Sequence, residues 1–274
     1  MAKVKRTNVL EKIILLFFVV YLILPILAIL IFSVSDSWEV GSPLPNSYTL
    51  KWYFQSLTNR DLLISIGRSM LISSISVIVG LIIILPTAYI VRCSLNLLEP
   101  FVRFFTLFPY VLPGVILALG LIQIYSKPPI PIAGTIYILL FSYVSVGLPS
   151  MYFVISNSLQ SIDVKSLTEA SQSLGAGMIE TFFRVIIPNI TPGIINASLL
   201  TFAGLLGEFT LVNLLLGARF KTLQVYLYTA MNTEGHIASV LTVVYFIMVT
   251  IASFVVIRIV RGIVGEKKEI PILK

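Results

Sequence analysis

Long uninterrupted apolar runs dominate this chain, and residues 11–32 read EKIILLFFVVYLILPILAILIF with a single charged pair at the start. A helix needs about 20 apolar residues to cross a bilayer. Six runs meet that need: Ile13–Val34, Leu62–Val91, Phe104–Tyr125, Gly134–Ile155, Gly193–Leu216 and Ile237–Val260. Strands of a membrane barrel would instead alternate over about 10 residues. The pattern predicts an all-α fold, a polytopic membrane helix bundle with six transmembrane helices. It forms one transmembrane domain over residues 1–274 and carries a helical loop at about 156–191.

Lys3, Lys5 and Arg6 precede the first run and Ser-Val-Ser follows it, as around a secretory signal. A signal core spans only about 7–15 residues, so this longer run is expected to remain as a span. Pro25, Pro86, Pro109, Pro113 and Pro149 lie within or beside the runs. Each removes a backbone hydrogen bond and can kink its helix; neighbouring helices commonly satisfy the freed carbonyl, and a hinge is the other reading. Between Ser35 and Arg60 the pattern suggests a loop and then a short amphipathic helix with Trp52 and Tyr53 at the membrane interface.

Composition agrees with a membrane class. Of 274 residues 57% are hydrophobic and 11% charged, and the mean hydropathy is +1.00. The net charge of +7 comes without an aromatic-basic patch, which argues against nucleic acid as a partner. The 19 cationic residues instead report topology. With the amino terminus inside, Lys3, Lys5, Arg6, Lys12, Arg92, Arg103, Lys165, Arg184, Arg258, Arg261, Lys267, Lys268 and Lys274 fall on the inner side. Lys51, Arg60, Arg68, Lys127, Arg219 and Lys221 fall outside. That asymmetry places both termini in the cytoplasm of a multi-pass cell-membrane protein, and after four crossings residues 156–191 are cytoplasmic too. The single cysteine, Cys93, has no intrachain disulfide partner and reads as a free thiol at a membrane edge.

That cytoplasmic stretch includes EASQSLGAGMIETFFRVIIP, Glu169–Pro188, the most patterned polar segment of the chain. Ser166 and Glu169 have the spacing of a capping box. Gly175 and Gly177 suit a bend through positive φ. Beyond them Met178, Ile179, Phe182, Phe183 and Ile186 recur at helical spacing, and Glu180 and Arg184 can pair four residues apart. An apolar helix face outside the bilayer must be covered. Periodicity alone leaves self-packing and a partner as equal readings.

The same segment resembles the signature loop of the permease subunits of ATP-binding-cassette (ABC) importers, a pattern of Glu-Ala-Ala, three residues, Gly, nine residues, then Ile-x-Leu-Pro. Glu169, Ala170 and Ser171 take the first places, Gly175 the glycine, and Val185, Ile187 and Pro188 the last group. The departures are small or apolar: Ser at 171, Val at 185 and Ile at 187. The resemblance implies a type I importer fold and a coupling loop seated on a separate ATPase subunit. Its contact residues would be Glu169, Ala170, Ser171, Leu174, Gly175, Ala176, Gly177, Met178, Phe182 and Pro188. It also implies a second permease subunit, identical or related, and an extracytoplasmic solute-binding protein, with ATP and magnesium bound by the ATPase partner and no cofactor in this chain. "SLGA" in the loop and "GEF" in the fifth run look most like the branch handling polyamines, iron, thiamine and oxyanions.

No phosphate-binding G-x-x-x-x-G-K-[ST] loop is present, so ATP hydrolysis is not expected of this chain. No catalytic residues stand out. His236 has no cysteine or second histidine near it in sequence, so no metal site is expected. Glu208 lies inside the fifth run, ~12 Å from its outer end at the rise of a helix. At 100° per residue Ser198, Thr201 and Glu208 share one polar stripe. A buried acid there serves a hydrogen bond between spans, a translocation path or a subunit interface. The rival class is a secondary transporter or channel using Glu208 as an ion or proton site.

Overall fold

The computed structural model describes residues 9–39 and 41–266. The helices in chain order are α1 (Val9–Ser33), α2 (Lys51–Leu57), α3 (Arg60–Cys93), α4 (Glu99–Val111), α5 (Gly114–Tyr125), α6 (Ile136–Gln160), α7 (Val164–Ser173), α8 (Met178–Thr181), α9 (Ile187–Leu206), α10 (Thr210–Leu215), α11 (Leu223–Met231) and α12 (Gly235–Glu266). Strands β1 (Ser35–Ser37) and β2 (Ser47–Tyr48) form an antiparallel ribbon between α1 and α2. Among the described residues five helices are long and apolar enough to cross a membrane, or six if the bent pair of α4 and α5 counts as one.

Two expected spans are not single helices. The third breaks at Leu112 and Pro113, and its halves turn through 101°. Proline cannot donate the next helical bond, and Leu112 before it is extended at φ −83° and ψ 125°. By contrast α1, α3, α4 and α6 run on through Pro25, Pro86, Pro109 and Pro149.

The fifth span starts earlier and stops earlier than its hydropathy indicates. Helical structure is continuous over 29 residues from Met178 to Leu206, through a π-helical turn at Phe182–Ile186 that joins α8 to α9. The wider turn directly precedes Pro188, whose ring would otherwise clash with the preceding turn. The Asn189 side chain adds a 2.7 Å bond to the Val185 carbonyl. The helix ends at Gly207, and a fresh one, α10, begins at Thr210.

The chain divides into two compact units, one within Met1–Leu62 and Leu227–Met248, the other within Leu63–Tyr226 and Val249–Lys274. In the first, α1 buries none of its apolar window within the chain. The ribbon and α2 are fixed by aromatic groups: His236 stacks between Phe32 at 4.3 Å and Trp52 at 4.9 Å. Trp52 Nε1 donates to the Ser35 carbonyl at 2.9 Å, and the Tyr53 and Ser33 hydroxyls pair at 2.8 Å. Trp52 and Tyr53 are half-buried against these partners, and Phe54 is the exposed ring of α2.

In the second unit α6 is the central helix, with Ile138, Leu139, Tyr143, Met151, Ile155 and Leu159 all buried. Neighbours approach it through missing side chains. Gly80 of α3 receives Met151, Gly147 of α6 receives Thr201, and Gly193 of α9 receives Ser158. Association inside a bilayer relies on such small-residue packing and on hydrogen bonds between helices, because burial from lipid supplies no hydrophobic drive. The Ser150 and Thr201 hydroxyls add one such bond at 2.7 Å.

Candidate functional site

The patterned segment folds as the expected helical hairpin, with a different start. Asp163 is the N-cap of α7: its carboxylate accepts from the Ser166 amide at 3.2 Å and from the Ser166 hydroxyl at 2.7 Å. The Ser166 hydroxyl, and after it the Ser166 amide, hold the Asp163 carboxyl below its ordinary range. Helical structure thus begins one turn before the expected capping box. Glu169 lies mid-helix and exposed, with no cap to make.

The bend itself is a Schellman motif. Gly175 takes φ +91°; its amide reaches the Gln172 carbonyl at 2.9 Å, and the Ala176 amide reaches Ser171 at 3.2 Å. Gly177 departs from expectation, being extended at φ −73° and ψ 165° as the N-cap of α8. Leu174 projects from the bend with 90% of its surface exposed.

One contact closes the hairpin on itself, and Thr168 and Phe182 tie it to the bundle. Thr181 Oγ1 bonds Ser171 Oγ at 3.0 Å across the hairpin. Buried Thr168 meets the Tyr89 hydroxyl at 3.2 Å and Cys93 Sγ at 3.4 Å, so the lone thiol belongs to a hydroxyl cluster at the end of α3. Phe182 packs on Tyr89 at 5.2 Å between ring centroids. The apolar face is therefore shared: Ile186 is buried, Phe182 half-buried, and Ile179 and Phe183 exposed. Glu180 and Arg184 form the expected i,i+4 pair at 2.6 Å. The loop sites Glu169, Ala170, Ser171, Leu174, Gly175, Ala176, Gly177, Met178 and Phe182 all lie on this hairpin, and Pro188 opens α9.

The structure does not gather Ser198, Thr201 and Glu208 into one stripe, because the helix ends before Glu208. Thr201 is buried against Ser150. Ser198 bonds its own helix at Ile194 and lines a separate groove with Met70, Phe202 and Val255. Glu208 sits in the break, half-buried, where Oε1 accepts the Leu211 amide at 2.9 Å and so caps α10. Its second carboxylate oxygen has no hydrogen-bond partner among the described residues. The Tyr143 hydroxyl donates to the Glu208 carbonyl at 3.4 Å. Facing this break is the other one: a side-chain carbon at Gly114, first residue of α5, would touch Thr210 at 3.5 Å. Sequence periodicity missed this pairing of two helix starts, and the "GEF" and "LPG" triplets were its only local signals.

An exposed hairpin rooted in a bundle with two interrupted spans is the architecture that the comparisons with known proteins assign to a class. Residues 80–265 match the binding-protein-dependent transport system inner membrane component, and the chain belongs to that family, the permease subunits of ABC importers. It is 28% identical over 243 residues to the probable ABC transporter permease protein y4fN of Sinorhizobium fredii, covering 86% of this chain but 42% of that one. It is 22% identical over 258 residues to the spermidine/putrescine transport system permease protein PotC of Escherichia coli, covering 90% of this chain and 94% of PotC. Among solved structures, a bacterial ABC transporter importing the acidic polysaccharide alginate superimposes with a TM-score of 0.71 at 20% identity, over 91% of this chain and 95% of that one. The MetNI methionine ABC transporter gives 0.62 at 21% identity, over 74% and 95%. These two likenesses concern the fold.

Proposed function

We propose that this chain forms half of a solute pathway driven by a separate ATPase, that its hairpin meets that ATPase in the cytoplasm, and that the solute is a polyamine-class cation. One observation carries the mechanical part. The 29-residue helix that begins at the hairpin bend ends at the Glu208 break, so a single rod of ~44 Å links the exposed tip to the interrupted span. A push on the hairpin enters that rod at Met178 and through the Thr181–Ser171 contact, and the break at Gly207 is where it is relieved.

The substrate class rests on chemistry and on relatives. Glu208 caps α10 with one carboxylate oxygen and leaves the other without a hydrogen-bond partner among the described residues, beside the C-terminal end of α9, and a carboxylate so placed suits a cation. Relatives named PotC, including a homologue from Mycoplasma pneumoniae 26% identical over 225 residues, carry spermidine and putrescine in their names. A second permease copy or relative completes the pathway, and an extracytoplasmic binding protein delivers the solute.

The test uses the full chain co-expressed with the subunits encoded beside it. Leu174→Asp abolishes ATPase association and uptake, while Glu208→Gln leaves ATPase association intact and lowers spermidine uptake at least several-fold. Uptake that follows an ion gradient with no ATPase attached would instead establish the secondary-transporter reading. Labelling of Leu174→Cys in a Cys93→Ser background from the cell exterior would overturn the cytoplasmic placement.

A further inference from the structure

Charge is distributed unevenly between the two ends of the second unit. Within residues 63–226 the hairpin end carries Arg92, Arg103, Lys165 and Arg184, and four acids stand with them: Glu99, Asp163, Glu169 and Glu180. At the opposite end stand Arg68, Lys127, Arg219 and Lys221. The only remaining acid of this stretch is Glu208, already engaged as the cap of α10. None of these four cations makes an ion pair among the described residues.

Three separate segments hold the four together. The Arg68 guanidinium lies over the Phe220 ring at 5.1 Å, and Arg219 and Lys221 flank that ring in sequence, at the end of a 3-10 turn, Gly217–Phe220. Arg219 Nη1 reaches across to Gly134, where it would stand 3.5 Å from an added side-chain carbon. Gly134 belongs to the loop from α5 to α6, which closes where the Ala133 amide meets the Tyr125 carbonyl at 3.0 Å. That loop carries Lys127. The buried Ser69 hydroxyl accepts the Leu223 amide at 2.8 Å and pins the arrangement to α3. Arg219 and Lys127 are exposed, Arg68 and Lys221 half-buried.

Position and sign together select a partner. Residues 69–91 of α3 carry no charge and span ~34 Å, close to the ~30 Å of a hydrocarbon core. Arg68 and Arg92 therefore mark its two boundaries, and the patch lies at the boundary away from the hairpin. Like charges left together repel one another, and the bias that keeps Lys and Arg out of extracytoplasmic loops works against them. Anionic lipid is concentrated on the cytoplasmic leaflet, and a cationic solute is repelled here. An acidic protein surface removes the repulsion.

We propose that Arg68, Lys127, Arg219 and Lys221 form the docking surface for an acidic face of the extracytoplasmic binding protein, an inference that rests on the delivery of solute by that protein proposed above. Complementary charge speeds encounter and fixes register more than it adds affinity. Docking also cancels a field that opposes entry of a cation towards Glu208, which precedes the patch in the chain by one short helix.

The test measures association of the purified binding protein encoded beside this chain with the full transporter in nanodiscs of zwitterionic lipid. Raising salt from ~0.1 to ~1 M shortens the screening length from ~10 to ~3 Å, and association should slow by about ten-fold or more. Arg219→Glu and Lys127→Glu, each at an exposed position, should slow it at low salt and flatten the salt dependence. Lys165→Glu, the same charge reversal at the hairpin end, should leave the rate as it was. Fast association that ignores salt and both substitutions would overturn the patch and leave delivery by a binding protein standing. A binding protein that neither associates nor stimulates ATP hydrolysis would overturn both. An effect of the substitutions seen only with anionic lipid present would assign the patch to headgroups and overturn the proposal.

Discussion

Gly193 of α9 lies against Ser158 of α6 so closely that a methyl group at 193 would stand 1.9 Å from Ser158 Oγ and 2.5 Å from its Cβ. The obstructing atoms belong to the stem of a short side chain that donates to the Val154 carbonyl at 2.8 Å, so rotation relieves little. Gly193→Ala should destabilise the α6–α9 pair by about 1–3 kcal/mol, the usual cost of overpacking. Thermal unfolding in detergent measures it, and adding Ser158→Gly should recover most of the loss. A double variant no more stable than Gly193→Ala alone would show that the contact is not the cause.

The two glycines of the hairpin bend should respond differently to alanine. Gly175 has φ +91°, where a Cβ costs about 1–2 kcal/mol. Gly177, at φ −73° with nothing near its missing side chain, should accept alanine with little effect. Hydrogen exchange reports the difference directly: the Gly175 and Ala176 amides, donors of the Schellman motif, exchange faster in Gly175→Ala and unchanged in Gly177→Ala.

Ser150 and Thr201 form a hydrogen bond between spans, a type worth ~0.6 kcal/mol on average and up to ~1.7 inside a bilayer. A double-mutant cycle of Ser150→Ala and Thr201→Val should return a coupling in that range, with solute uptake preserved. Stability unchanged and uptake lost in Thr201→Val would place Thr201 on the solute path.

Asp163 should make the start of α7 sensitive to acid. Its folded-state pKa is depressed, chiefly by the Ser166 hydroxyl. A depressed carboxyl stabilises the fold above its unfolded pKa, and that contribution disappears as pH falls through the folded value. Protection of the Ser166 amide, corrected for intrinsic exchange, should hold near neutrality and fall only below the ordinary aspartate range of ~3.9. Asp163→Ala should lack that protection at every pH, and protection surviving in Asp163→Ala would show that the cap is not what holds the amide.

Much of the hairpin was legible locally. Helix and bend signals act over three to five residues, so the Glu180–Arg184 pair, the positive φ at Gly175 and the helix beyond it could be read from spacing. The helix start could not, because Asp163 and Ser166 both suit an N-cap and only the preceding end of α6 decides between them. The stripe of Ser198, Thr201 and Glu208 failed for a related reason: angular arithmetic assumes an unbroken helix, and Gly207 ends it.

By itself the sequence determined that this chain crosses a membrane as helices, because runs of that length and apolarity have no other way to satisfy their backbone in lipid. It also determined the hairpin, whose turn chemistry is local. Only the tertiary structure decided where spans break, which polar residues face protein and which cations gather opposite the hairpin. Those outcomes depend on packing between distant segments, such as Gly193 on Ser158 and α5 on α10, and within a uniformly apolar run hydropathy carries no record of which neighbour each face will meet.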